Sequence, residues 1–471
     1  MKNEIDLSLE TLRKTYASGA GIRDIISRAT TRIAEASNTN AWIHVESRTR
    51  LMERCDAIEL RRSRGEAFPL YGIPFGVKDN IDVAGMPTTA ACPGFKYTPD
   101  QSAHAVQLLL DAGGICMGKT NLDQFATGLS GARSAYGTCA SVANPLYVSG
   151  GSSSGSAVAV AAKHVSFALG TDTGGSGRIP AGFNGIVGIK PSIGRVSTRG
   201  LVPNCRSLDC VSIFSDSVSE GMEILRIIDG FDIDDPYCRN APARTTDVRP
   251  VDGQRFTFGR LGKCDLKFFG MDEGLSIYEE ACDSLADIGG EPVEIDFAPF
   301  AEAGQLLFSG PWIAERRSAL GPFASKHPDA LLDVIHQVLK VADNFSAAQV
   351  FDSMNRLASL KRGAEKLFSS ISAMVVPTAA RAYTIEQMEE NPIEFNNRLG
   401  HYSYFANLLE LCAIAVPSGI LSCGVPMGVT LLAPAWSDER LGSLASRFEA
   451  EVRKSDAHPQ GRARRRRSAA I

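Results

Sequence analysis

The chain has 471 residues, 44% hydrophobic and 22% charged, with a formal net charge of −4. That is an ordinary globular composition, and its mild acidity argues against a protein that coats nucleic acid. No apolar run approaches the about 18 residues needed to cross a bilayer, and the polar start Met1–Asp6 lacks the apolar region of a signal peptide.

Residues 7–36 read as helical. Leu7, Leu9, Leu12 and Tyr16, then Ile22, Ile25 and Ile26, recur at helical spacing, and Gly19 and Gly21 split the run in two. Residues 71–82 mix Ile, Phe and Val with Gly and Pro, a short strand running into a loop. Residues 102–112 form an amphipathic helix closed by Gly113 and Gly114. A buried strand follows at 115–118, then the start of a helix at 121–127. A Gly/Ser-rich stretch at 149–156 leads into an Ala/Val helix ending near Lys163, and a strand at 165–170 leads into a second Gly-rich turn at 172–178. Further strands are expected at 256–260, 293–297, 373–377, 414–417 and 429–432, with helices at about 219–229, 272–287, 300–320, 347–369 and 438–453. This alternation indicates an α/β protein with a large mixed central β-sheet flanked by helices on both faces. With no repeat or linker before about 455, the chain divides into an N-terminal helical region (1–65), one large domain (66–455) and a basic tail (456–471). The run Gly461–Arg467 in that tail is expected to be solvated and disordered. The eleven cysteines form no CxxC pair, which speaks against a zinc site and for reduced, buried thiols in the cytoplasm.

Two Gly/Ser turns and one lysine carry the chemistry. Gly150-Gly-Ser-Ser-Ser-Gly-Ser156 alone reads as a flexible linker. It runs, however, directly into the apolar helix Ala157–Ala162, whose buried N-terminus presents free N–H groups and a positive dipole end. Serines there either cap the helix or face a site. In Gly170-Thr-Asp-Thr-Gly-Gly-Ser-Gly-Arg-Ile-Pro180, consecutive glycines let several N–H groups converge on one point, as an oxyanion requires. A serine ending such a turn is a candidate nucleophile. A phosphate loop is the competing reading, but the GxxxxGK[ST] pattern is missing and Asp172 would repel phosphate. A nucleophilic serine needs a base. None of the seven histidines sits in a motif-like setting. Lys78, in Gly72-Ile-Pro-Phe-Gly-Val-Lys-Asp-Asn80, ends an apolar stretch and can serve if buried and neutral. Its alternative is an ion pair with Asp79 or Asp172.

Together, Gly72–Asn80, Gly118-Lys-Thr-Asn121, Gly150–Ala157 and Asp172–Pro180 resemble the amidase-signature family, in that family's order and with its spacing between the two serines. The resemblance runs from about residue 70 to 435. It implies a Ser–cis-Ser–Lys triad, with Ser176 as nucleophile, Ser152 behind a cis peptide as proton relay, and Lys78 as base. The N–H groups of Thr173, Gly174, Gly175 and Ser176 would form the oxyanion hole, while Asp172 and Arg178 brace the turn. The reaction implied is amide hydrolysis through an acyl-enzyme, with no metal and no organic cofactor. At Gly177 the family commonly has a larger apolar residue, so the change is expected to alter pocket shape.

Leu306-Leu-Phe-Ser-Gly-Pro-Trp-Ile-Ala-Glu-Arg-Arg317, Pro87–Pro93 and Asn397–Asn407 look like the allophanate hydrolase branch of that family. Allophanate is small, planar and anionic, and a guanidinium meets a carboxylate with two parallel hydrogen bonds. The resemblance assigns that carboxylate to Arg316; otherwise Arg316 pairs with Glu315 or Glu302. Phe308 stands where the branch commonly has a substrate-binding Tyr, and Gly128 is expected to offer its carbonyl to the substrate amide. The branch often carries a smaller C-terminal domain, expected to be absent here. Other readings are a malonamate-type amidase, the glutaminase subunit of a tRNA amidotransferase, and an inactive binding scaffold. The expected partners are a small anionic amide and a second copy of the chain, symmetric dimers being the commonest oligomers. Neither nucleic acid nor membrane is expected.

Overall fold

The computed structural model describes residues 6–36, 39–242 and 255–457; the Arg-rich run at 461–467 lies outside the described residues. The described strands form one sheet. They are β1 (Trp42–Val45), β2 (Pro74–Lys78), β3 (Ile115–Thr120), β4 (Phe167–Asp172), β5 (Val187–Lys190), β6 (Cys210–Ser215), β7 (Phe256–Leu261), β8 (Gly290–Ile295), β9 (Ala373–Pro377), β10 (Cys412–Ile420) and β11 (Pro426–Ala433). Their order is β1-β3-β2-β4-β6-β5-β10-β11-β9-β7-β8. β2 is parallel to β3 and β4, and β7 to β8 and β9. The pairs around β5, β6, β10 and β11 are antiparallel. The sheet is therefore mixed, as the alternation of elements indicated.

Successive side chains of a strand point to opposite faces. Every residue of β2, β3, β4, β6 and β9 is nonetheless buried, so both faces of the sheet are covered there. Helix Ser154–Ala161 packs on β4, and helix Asp438–Ala457 on β10. At one edge, β8 is largely exposed and carries Glu291 and Glu294, charges that discourage pairing with another strand. No helix among the described residues is long and apolar enough to cross a membrane.

The N-terminal helices, Leu9–Ala17 and Ile22–Glu35, lie where periodicity puts them. The same region supplies β1, which pairs with β3 at the other edge of the sheet. Two expectations need correction. Residues 121–127 do not begin a helix. They form an irregular segment with a single 3-10 turn, Gln124–Ala126, in which Phe125 and Ala126 have φ of 51° and 54°. Tertiary bonds take the backbone instead: Asp123 N–H donates to Ser152 O at 3.1 Å and Phe125 N–H to Ala90 O at 2.9 Å. The helix expected at 300–320 is two, Ala298–Phe308 and Ile313–Lys326, parted at Gly310-Pro311, where proline lacks the N–H a continuous helix needs. That break puts Phe308 at the end of one helix and Arg316 in the first turn of the next.

Candidate active site

β2 and β4 are parallel neighbours, with Val77 opposite Leu169. Their carboxyl ends therefore bring Lys78 beside Thr171 and Asp172, the end of such a sheet at which ligands commonly bind. Lys78 Nζ lies 2.8 Å from Ser152 Oγ and 2.7 Å from Thr171 Oγ1, and the side chain is fully buried. Its alternative partners are both engaged elsewhere. Asp79 pairs with Lys119 at 3.0 Å, and Asp172 with Arg178 at 2.8 Å. Burial disfavours the ammonium and draws Lys78 down to about 7, against the opposing pull of Asp123, Asp209 and Asp172. The peptide joining Gly151 to Ser152 is cis. A neutral amine at this distance from a hydroxyl can accept its proton.

The second turn, after β4, is organised by Asp172. Its carboxylate accepts from the N–H groups of Gly175 (2.8 Å) and Gly177 (3.0 Å), and from Arg178 through Nε (2.8 Å) and Nη2 (2.9 Å). Burial raises the Asp172 carboxyl, but Arg178 outweighs it, and the group sits below its ordinary range. Arg178 further donates to Ser403 O at 3.0 Å. The expected role of Gly175 is thereby corrected. Its N–H is taken by Asp172, whereas those of Thr173, Gly174 and Ser176 have no acceptor among the described residues. Gly175 must be glycine for another reason: φ is 136°, and a Cβ would strike Ser403 Oγ. Gly177 does not widen a pocket. A Cβ there would lie 2.5 Å from Ser212 Cβ on β6, so neighbouring strand packing fills the space. Ser176 itself is almost buried, and its Oγ bonds no described residue.

Arg316 is 6% exposed. Its Nε donates to Asn204 Oδ1 at 3.0 Å, and it forms no ion pair among the described residues. Both alternative partners are held elsewhere. Glu315 accepts from Ser207 N–H (2.8 Å) and Oγ (2.6 Å), and Glu302 pairs with Arg356 at 2.5 Å. Gly128 sits against the Asp123 carboxylate, where a Cβ would come within 2.6 Å of Oδ2. That carboxylate gathers the N–H groups of Ser130, Gly131 and Arg133, and the Gly128 carbonyl has no donor among the described residues. Phe308 stacks on Tyr404 with ring centroids 5.1 Å apart. The Tyr404 hydroxyl donates to Asn396 O at 3.2 Å, and its ring would lie 3.1 Å from a Cβ on Gly174. Phe308 and Tyr404 thus pack behind the turn after β4.

Sequence reasoning missed four residues here: Tyr404, Arg133, Asn204 and Asp209. Arg133 is a further buried cation, donating to Thr127 O at 3.0 Å and to Pro392 O. Burial lowers its pKa, with Asp123 opposing and Arg316 adding to the fall. Asp209 accepts from Thr173 Oγ1 at 2.5 Å, and burial raises its carboxyl to about 6. Among the described residues no group of three or more His, Cys, Asp and Glu side chains is placed to hold a metal ion.

The amidase family model matches residues 24–441. Urea amidolyase of Saccharomyces cerevisiae is 39% identical over 416 residues, covering 87% of this chain and 22% of that protein. The chain therefore spans about a fifth of the length of such relatives. A glutamyl-tRNA(Gln) amidotransferase subunit of Prochlorococcus marinus is 30% identical over 456 residues, covering 90% of this chain and 93% of that protein. Among solved structures, Kluyveromyces lactis allophanate hydrolase superposes with a TM-score of 0.88 at 36% identity, covering 94% of this chain and 72% of that one.

Proposed function

The chain belongs to the amidase family, and from that membership we propose that it hydrolyses a small amide bearing a carboxylate, allophanate being the substrate that fits best. In this reading Ser176 Oγ attacks the amide carbonyl and Ser152 passes its proton to the leaving nitrogen. Lys78 takes up and returns that proton, and ammonia departs. Water then cleaves the acyl-enzyme by the reverse path. The N–H groups of Thr173, Gly174 and Ser176 meet the oxyanion, and Arg316 meets the carboxylate. The observation that carries the substrate class is the buried Arg316 guanidinium, which has no carboxylate partner among the described residues. The relatives that act on urea-derived amides support the choice of allophanate.

The test is ammonia release from allophanate by the purified protein, with malonamate, biuret and glutamine in parallel. Fast release from allophanate is the expected result. Release from glutamine alone would instead favour the activity of the amidotransferase subunit, whose whole length this chain nearly matches.

The pH dependence follows from Lys78. Its lowered pKa means that the neutral base becomes available as pH rises through about 7. For a neutral amide, which does not titrate itself, kcat/KM should therefore show an acid limb near pH 7 and a plateau above it. A limb near the ordinary lysine value would contradict the lowered Lys78 pKa, and an acid limb unchanged in Lys78→Met would rule Lys78 out as the base.

A further inference from the structure

We infer that Asn204 and Asp209 are positioning residues that hold the oxyanion turn and the substrate-binding guanidinium in register, and that a neutral amide side chain at 204 preserves selectivity for an anionic substrate. This rests on the function proposed above. The two residues form one buried chain of hydrogen bonds. Thr173 Oγ1, at the head of the turn, donates to Asp209 Oδ1 at 2.5 Å. Asp209 also accepts the N–H groups of Asn204 at 2.9 Å and Cys205 at 3.2 Å. The Asn204 side chain then accepts from Arg316 Nε at 3.0 Å and donates to Phe125 O at 2.9 Å and Thr127 Oγ1 at 3.2 Å. Three segments far apart in sequence meet on it: the turn after β4, the loop leading to Gly128, and the helix Ile313–Lys326. No local backbone geometry relates them, so this network fixes their relative placement. A satisfied buried polar network is rigid, and misplacing a substrate contact by about 1 Å can cost about 100-fold in rate.

The identity of residue 204 matters as much as its position. Among the described residues, Asn204 supplies the side-chain oxygen that bonds Arg316. Being uncharged, it orients the guanidinium and leaves the positive charge for the ligand. An aspartate of the same shape would pair with Arg316 and compete with an anionic substrate.

The experiment compares malonamate, an anionic amide, with malonamide, its neutral counterpart. Wild type should prefer malonamate; equal turnover of both would overturn the carboxylate reading and this inference with it. Given that preference, Asn204→Ala should raise the malonamate KM about tenfold, and Asn204→Asp should lower malonamate kcat/KM about 100-fold, each a several-fold larger loss than on malonamide. Asp209→Asn should lower kcat on both substrates about tenfold. Should that variant not fold, Thr173→Val, which removes the same bond from the other side, should give the same loss of kcat. Equal losses on both substrates for the Asn204 variants, or an unchanged kcat in Thr173→Val, would overturn the positioning role while leaving the proposed function intact.

Discussion

Replacing Lys78 by methionine is expected to lower kcat by about 10⁴-fold while leaving the protein folded. Methionine keeps the length and bulk of the side chain, so no large cavity opens beneath Ser152. What is lost is the amine 2.8 Å from Ser152 Oγ, the proton acceptor of the proposed mechanism. Lys78→Arg should be equally inactive, because a guanidinium stays protonated at any working pH. Folding is not expected to suffer. Burial draws Lys78 down to about 7, so the folded state disfavours the charged form that an unfolded lysine carries at neutral pH, and removing the amine removes that opposition. Ser176→Ala should fall by a similar factor. The double variant should be no slower than either single one, since residues that act as one unit lose their effect together. Burst and steady-state ammonia release, read beside thermal unfolding, check all of this. More than about 1% of wild-type kcat in Lys78→Met would remove lysine from the mechanism.

Much of this site is legible in the sequence, for a definite reason. Lys78, Ser152 and Ser176 lie in short contiguous runs whose glycines and serines are already unusual. β2, β3 and β4 read correctly because each is a brief apolar run bounded by Gly or polar residues. What stays hidden depends on contacts across the chain. The segment 121–127 has helical composition but is unwound by bonds to Ala90 and Ser152. Gly175 reads as an oxyanion donor until the Asp172 carboxylate is seen to occupy its N–H. Arg316 can be named, but whether Glu315 or Glu302 neutralises it depends on Ser207 and Arg356, each brought close only by the fold. Asn204 and Asp209 sit in the loop before β6, which carries no periodicity. Their significance comes from Arg316 and Thr173, neither of which is near them in sequence.

Arg316→Ala is expected to raise KM for an anionic amide by about 100-fold and to leave kcat within a few-fold of wild type. The magnitude follows from the bonds lost. A fork of two charge-assisted hydrogen bonds, at roughly 1.5–3 kcal/mol each, supports at least two orders of magnitude in affinity even after desolvation is subtracted. The split between KM and kcat follows from where the carboxylate lies. It takes no part in the bond changes and keeps its charge throughout, so its binding energy is common to ground and transition states. Arg316→Lys should recover only part of the loss, because an ammonium is a point charge without the planar fork. A neutral amide should be almost indifferent to either change. Stability sets this arginine apart from a structural one. Removing one partner of a buried ion pair commonly costs about 3–5 kcal/mol, because the other charge is left uncompensated. Arg316 has no such partner among the described residues, and it repels the neighbouring buried Arg133. Arg316→Ala should therefore lose less stability than a broken buried ion pair would, since it unpairs only the neutral Asn204 Oδ1, while losing its grip on the anion. A melting temperature well below wild type, with KM unchanged, would make Arg316 a packing residue and leave the substrate carboxylate without a binding group.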